Sequence, residues 1–202
     1  MATVMDATLE AKLFDAVLEM YRDVATQPDK EYHFHTGRTA ALRLGYPAEI
    51  VDRLPVGAVE SFAGVGNPHR TAGYREGETV VDVGSGAGLD VLLAAHAVGP
   101  RGRVIGVDLN QVMLEKARAN ARAAGAANVD FREGRMEQLP VEDGTAQLVI
   151  SNGVVNLAMR KKVVLQELYR VLAPAGRLSL TDIVSEREIA ENVRKDPKLW
   201  AA

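Results

Sequence analysis

Thr79-Val80-Val81-Asp82-Val83-Gly84-Ser85-Gly86-Ala87-Gly88, followed by Arg103-Val104-Ile105-Gly106-Val107-Asp108, decides the fold of this chain. A strand of a parallel sheet is buried on both faces, so it reads as a continuous β-branched run. The first stretch predicts a strand over 79–83, a glycine-rich turn and a helix over 87–98. The second predicts a strand over 103–107 that ends in an acid, Asp108. Ligands of open α/β sheets sit beyond the carboxyl ends of the strands. Gly84, Gly86 and Gly88 lie at such an end, where glycine lets a ligand approach the backbone closely.

The spacing of this unit separates two cofactor classes. A dinucleotide fingerprint reads G-x-G-x-x-G, with a pyrophosphate at the helix N-terminus. Counted from Gly84, its third glycine falls on Leu89. The pattern is instead Asp82-x-Gly84-x-Gly86-x-Gly88. Asp82 would repel a pyrophosphate and suits the cationic amino group of a methionine moiety. Asp108 can accept hydrogen bonds from both hydroxyls of a ribose. These residues favour S-adenosylmethionine over a nicotinamide dinucleotide.

Strand and helix alternate beyond this unit, with a helix expected over 111–124, strands over 128–132 and 146–150, a helix over 159–172 and a strand over 177–183. Such alternation implies a mostly parallel, Rossmann-like sheet with helices on both faces. Ahead of it, residues 6–25 carry Leu9, Leu13, Phe14, Val17, Leu18 and Val24 at helical spacing. Short helices are expected over 39–44 and 47–54. The loop Ala63-Gly64-Val65-Gly66-Asn67-Pro68 is too conformationally special for a plain linker. The expected organisation is an N-terminal helical cap over 1–74, a cofactor-binding domain over 75–184 and a helical tail over 185–202.

The chain has 202 residues, 47% of them hydrophobic, enough for one sizeable core. Net charge is −3, so no basic surface advertises nucleic acid or an anionic membrane. No apolar run is long enough to span a bilayer. The first residues lack the basic and apolar regions of a secretory signal, which makes the cytoplasm the expected compartment. There is no cysteine, which excludes disulfides, thiolate metal sites and a cysteine nucleophile.

From about position 75 to 184 these residues resemble class I S-adenosylmethionine-dependent methyltransferases. The resemblance narrows with Tyr32-His33-Phe34-His35-Thr36-Gly37, Gly45-Tyr46-Pro47, Glu60-Ser61-Phe62-Ala63-Gly64-Val65-Gly66-Asn67-Pro68 and Ser151-Asn152-Gly153-Val154-Val155-Asn156-Leu157. Together these are similar to the arsenite methyltransferase family over nearly the whole chain. The resemblance implies S-adenosylmethionine as cofactor and a small methyl acceptor, arsenite by family. Gly84, Ser85, Gly86 and Gly88 would line the methionine and ribose. Asp108 would hold the ribose hydroxyls, with Leu109 against the adenine and Met136 and Glu137 bordering the ring. Asn152 would sit near the methionine end and the acceptor as the catalytic candidate, with Val155 and Leu157 walling the pocket.

The family holds trivalent arsenic with thiolates, and this chain has Gly153 and Val65 where family cysteines stand. A further family cysteine lies beyond the point at which the chain stops, Ala202. The class I sheet has seven strands, of which five can be placed, so the reading expects a sheet without the last two. Its strand at 177–183 would then be an open edge suited to self-association. A non-catalytic S-adenosylmethionine-binding subunit is the alternative that the missing thiols suggest. Outside the motifs, His33 and His35 lack further ligands for a metal, His69 is a candidate general base and His96 reads as structural.

Overall fold

The computed structural model describes residues 7–186 and 196–200. The N-terminal region is helical: α1 (Ala7–Thr26), α2 (Gly37–Arg43), α3 (Ala48–Val51), α4 (Val56–Glu60) and α5 (His69–Ala72). Strands and helices then alternate as β1 (Thr79–Val83), α6 (Leu89–Val98), β2 (Arg103–Asp108), α7 (Gln111–Ala123), β3 (Val129–Glu133), β4 (Ala146–Asn152), α8 (Lys161–Val171) and β5 (Leu172–Thr181). A last turn, α9, spans Pro197–Trp200.

The five strands form one parallel sheet in the order β3-β2-β1-β4-β5. The order reverses between β1 and β4, which opens a crevice at the carboxyl ends of β1 and β4. Side chains alternate across the sheet with period 2. Val80, Val104 and Leu148 pack on one face with Leu92, Leu114 and the N-terminal helices. Val81, Val107 and Val149 pack on the other with Val164, Leu168 and Val171 of α8. Both faces are covered, as the unbroken β-branched runs require. Asn110 caps α7, its side-chain oxygen accepting from the N–H of Val112 at 3.0 Å.

The expected elements stand, with differences at their ends. The strand expected over 177–183 begins at Leu172, directly off α8, and stops at Thr181. Its pairing with β4 jumps from Ala146↔Leu172 to Leu148↔Arg177, so the residues between bulge out. The ladder ends at Thr181 because Asp182 turns its carboxylate onto the N–H of Asn156 (2.9 Å) and of Ile183 (2.8 Å). The helix expected over 47–54 is the single turn of α3, and α5 was not anticipated. The expected helix over 185–200 falls mainly on residues outside those described. Among the described residues of that tail, a helical turn begins at Pro197, as suits proline in a first turn. Among the described residues no helix is long and apolar enough to cross a membrane.

Candidate active site

β1 delivers the chain into the glycine turn. Gly84, Gly86 and Gly88 all have positive φ, +78°, +50° and +91°. A Cβ at Gly84 would lie 2.4 Å from the Val154 side chain, whereas one at Gly86 would meet nothing within 4 Å. The first glycine therefore allows close packing and the second faces open space. Asp108, at the end of β2, ties the turn down. One carboxylate oxygen accepts from the N–H of Gly86 and the other from the N–H of Asn110, both at 2.8 Å. Burial dominates and holds its pKa above the ordinary aspartate value, although these backbone donors pull it down. Each oxygen keeps a lone pair for a ligand hydroxyl.

A cavity opens over this turn. Of the residues singled out in the sequence, Gly84, Ser85, Gly86, Asp108, Leu109, Met136, Glu137 and Asn152 line it. Asp82 and Gly88 do not. Period-2 alternation turns Asp82 to the face of Val80, beneath the N-terminal helices, and the cavity starts one residue later at Val83. Gly88 is the N-cap of α6, and its space is taken up by Phe131 and Ala117. Val155 packs against the α8-side core, while Leu157 walls the cavity.

The roof is α1, through Phe14, Val17, Leu18 and Tyr21. Polar ties hold it down. Asn110 Nδ2 donates to the Leu18 carbonyl (3.1 Å) and Lys116 Nζ to the Ala25 carbonyl (2.9 Å). The Arg135 guanidinium sits 4.2 Å from the Phe14 ring centroid, and Arg135 also pairs with Glu137 at 3.6 Å. Burial raises the Tyr21 phenol to about 12, so it stays protonated at neutral pH. The covered cavity measures about 160 Å³. That is below the roughly 300–1,000 Å³ of ordinary small-ligand pockets.

Beside the cavity lies a buried polar network that the sequence reading missed. Its centre is Asp90, in the first turn of α6, 7% exposed and lining the cavity. Asp90 Oδ1 accepts from Tyr46 Oη (2.7 Å) and His69 Nε2 (2.9 Å). Asp90 Oδ2 accepts from Asn152 Nδ2 at 3.1 Å. Because the carboxylate only accepts, His69 carries its proton on Nε2, and Nδ1 takes the Tyr74 hydroxyl at 2.7 Å. His69 is thus committed on both nitrogens and does not line the cavity, which removes it as a general base. Asn152 is a hub. Its Oδ1 accepts from the N–H of Val65 (2.9 Å) and Gly66 (3.0 Å) and from Thr181 Oγ1 (2.9 Å). Its Nδ2 also donates to the Gly66 carbonyl at 2.9 Å. The one sequence signal for Asp90 was an acid two residues past Gly88, where a helix N-terminus favours negative charge.

Among the described residues two buried polar atoms, Asp82 Oδ2 and Ser85 Oγ, have no hydrogen-bond partner. Burial, then the charges of Asp90 and Asp108, hold the Asp82 pKa well above the usual carboxylate range. The folded chain consequently binds this proton more tightly than the unfolded chain. The stability from this group is fully present at low pH. It is lost as pH rises from about 3.9 through the raised folded value. Asp82→Asn is expected to raise the melting temperature of the unliganded protein at pH 7 by about 2–4 °C, the shift of ~1 kcal/mol at this size. It should also flatten the pH dependence of melting between pH 5 and 8, read by calorimetric scans.

An acid at the end of β2, a glycine turn with open space at Gly86, acids near the turn and an apolar roof define a nucleoside-binding α/β enzyme fold suited to a cationic ligand. Residues 75–202 match the methyltransferase domain model, and the chain belongs to this family. It is 46% identical over 162 residues to the arsenite methyltransferase of Halobacterium salinarum, covering 80% of this chain and 41% of that protein. An arsenic(III) S-adenosylmethionine methyltransferase from Chlamydomonas reinhardtii superposes with a TM-score of 0.63 at 38% identity, covering 80% of this chain and 53% of that one. A S-adenosylmethionine-dependent methyltransferase from Aquifex aeolicus superposes at 0.55 with 25% identity, covering 62% and 70%. The chain spans less than half the length of the curated relatives it matches first. The cofactor that goes with this family and these structures is S-adenosylmethionine. The residues present fit it: a cradle open at Gly86, an acid positioned for diol hydroxyls, and the unpartnered Ser85 hydroxyl and the Asp90 carboxylate on the cavity wall for a cation.

Proposed function

We propose that this chain transfers the methyl group of S-adenosylmethionine to a small-molecule acceptor in the cytoplasm. The observation that carries the reading is Asp108, pinned by Gly86 and Asn110 at the mouth of a covered apolar cavity. Asp108 holds the ribose hydroxyls. Leu109 and Met136 flank the adenine, and Glu137 borders it. Asp90, on the cavity wall, supplies negative potential for the cationic methionine end. When bound, the cofactor supplies an activated methyl group on a sulfonium, so the protein needs no obligatory acid or base. Its own work is alignment and exclusion of water, which α1 performs from above. Asn152 acts as a positioning residue. Its amide is spent on Tyr46, Asp90 and the 64–66 loop, and through them it fixes the acceptor side against the cofactor side.

The test is release of S-adenosylhomocysteine from S-adenosylmethionine in the presence of a panel of small acceptors. The expected result is acceptor-dependent release that disappears in Asp108→Ala. Cofactor binding with no release for any acceptor would favour a non-catalytic binding subunit instead.

A further inference from the structure

A second chamber of about 270 Å³ adjoins the cofactor cavity and shares Tyr21, Ala63, Gly64 and Leu157 with it. Phe34, Leu44, Val65 and Ile183 give it apolar walls, and His35, Arg43 and Asn156 give it polar ones. Val65 packs into the space over Gly153, where an added Cβ would lie 3.1 Å from it, and Gly153 has φ +79°. A side chain at 153 would be strained in this backbone conformation. Among the described residues no carboxylate lines the chamber, and the one with a fixed charge is Arg43, exposed at its edge, whose guanidinium meets the His35 imidazole. Asp182, beside Ile183, spends its oxygens on backbone N–H groups. Among the described residues no group of three or more His, Cys, Asp or Glu could hold a metal ion.

This chemistry does not suit a soft metalloid, which is held by thiolates. It does not suit a cation either, because Arg43 would repel it. It suits an apolar body carrying one negative charge. Among the described residues no base in the chamber is free to take a proton from the acceptor: Tyr21 is held protonated and His35 is bound to Arg43. The acceptor must arrive with its nucleophilic pair already available. A carboxylate is anionic but a poor nucleophile, and a phenol near pKa 10 stays protonated at neutral pH. A thiol ionises nearer neutrality, and a neighbouring guanidinium favours its thiolate.

We infer that this chamber is the acceptor site and takes a small apolar organic thiol as its thiolate, an inference that rests on the methyltransferase reading above. The thiol proton leaves to solvent on binding. The thiolate sulfur then donates a pair to the methyl carbon, the bond from methyl to sulfonium breaks, and that pair returns to the cofactor sulfur. The products are a methyl thioether and S-adenosylhomocysteine.

The experiment uses the full chain with S-adenosylmethionine at pH 8, and benzenethiol, phenol and arsenite with glutathione as separate acceptors. Product is read by mass spectrometry, and cofactor affinity is read separately by calorimetry. Methyl phenyl sulfide is expected as the main product, with no methylated phenol. Arg43→Gln is expected to raise KM for benzenethiol roughly tenfold, the loss of one charge-assisted contact, with cofactor affinity unchanged. Val65→Phe, which fills the chamber, is expected to abolish thiol methylation while cofactor still binds. Cofactor binding without thioether, arsenite methylated in preference to the thiol, or an unchanged KM in Arg43→Gln would each overturn the inference. Absence of cofactor binding in the unaltered protein would instead overturn the methyltransferase reading beneath it.

Discussion

Replacing Asp108 by alanine is expected to weaken S-adenosylmethionine binding by about 100- to 1,000-fold. Two effects combine. Hydrogen bonds between a charged acceptor and ligand hydroxyls contribute about 1.5–3 kcal/mol each, and each 1.4 kcal/mol is tenfold in affinity. The same carboxylate also fixes the turn, since both its oxygens already hold backbone N–H groups, those of Gly86 and Asn110. Alanine frees both donors and lets the cradle relax. Asp108→Asn should fall between, because its one acceptor oxygen can serve only one of the two tasks. Calorimetric titration of the three proteins checks the order.

The second large effect is expected at Asp90. Asp90→Asn should weaken S-adenosylmethionine binding by about 10- to 100-fold, in the range for breaking a buried, hydrogen-bonded charge. Binding of S-adenosylhomocysteine, which lacks the sulfonium charge, should weaken less. The ratio of the two affinities separates charge recognition from plain structural damage, because damage would weaken both equally. Asp90 is only 7% exposed, and the network gives both its oxygens hydrogen-bond partners. Tyr46, His69 and Asn152 all donate to it. Asparagine would set a donor against one of these donors, so a fall in melting temperature should accompany the loss. Desolvation and the Asp90 charge push the Tyr46 phenol far above its ordinary range, so it remains a donor at every physiological pH.

The parallel sheet was legible because β1, β2 and β4 are buried on both faces and so carry unbroken apolar runs such as Val80-Val81 and Leu148-Val149-Ile150. The cofactor turn was legible because three glycines and two acids sit at spacings that few other structures need. The end of β5 was not, since Ile183 and Val184 are as β-prone as any strand residue. What stops the ladder is the Asp182 side chain bonding to a 3₁₀ turn 26 positions earlier in sequence. The roof over the cavity was half legible. Periodicity in α1 shows an apolar stripe at Phe14, Val17 and Tyr21 but not what the stripe covers. The Asp90 network was illegible for a physical reason. It joins Tyr46, His69, Tyr74, Asp90 and Asn152 across 106 positions between Tyr46 and Asn152, and only the folded topology brings them together. Asp82 was assigned to the ligand on its charge and motif position. Strand alternation, which follows from the same sequence, turns it away from the cavity.

The central claim is that the covered cavity at the ends of β1 and β2 binds S-adenosylmethionine through Asp108. Isothermal titration of the full chain with S-adenosylmethionine, beside Asp108→Ala, tests it most directly. The account predicts a single site of about micromolar affinity, ~8 kcal/mol, that is lost in the variant while the variant still melts cooperatively. No binding heat at about 1 mM ligand, or equal affinity in the two proteins, would contradict it.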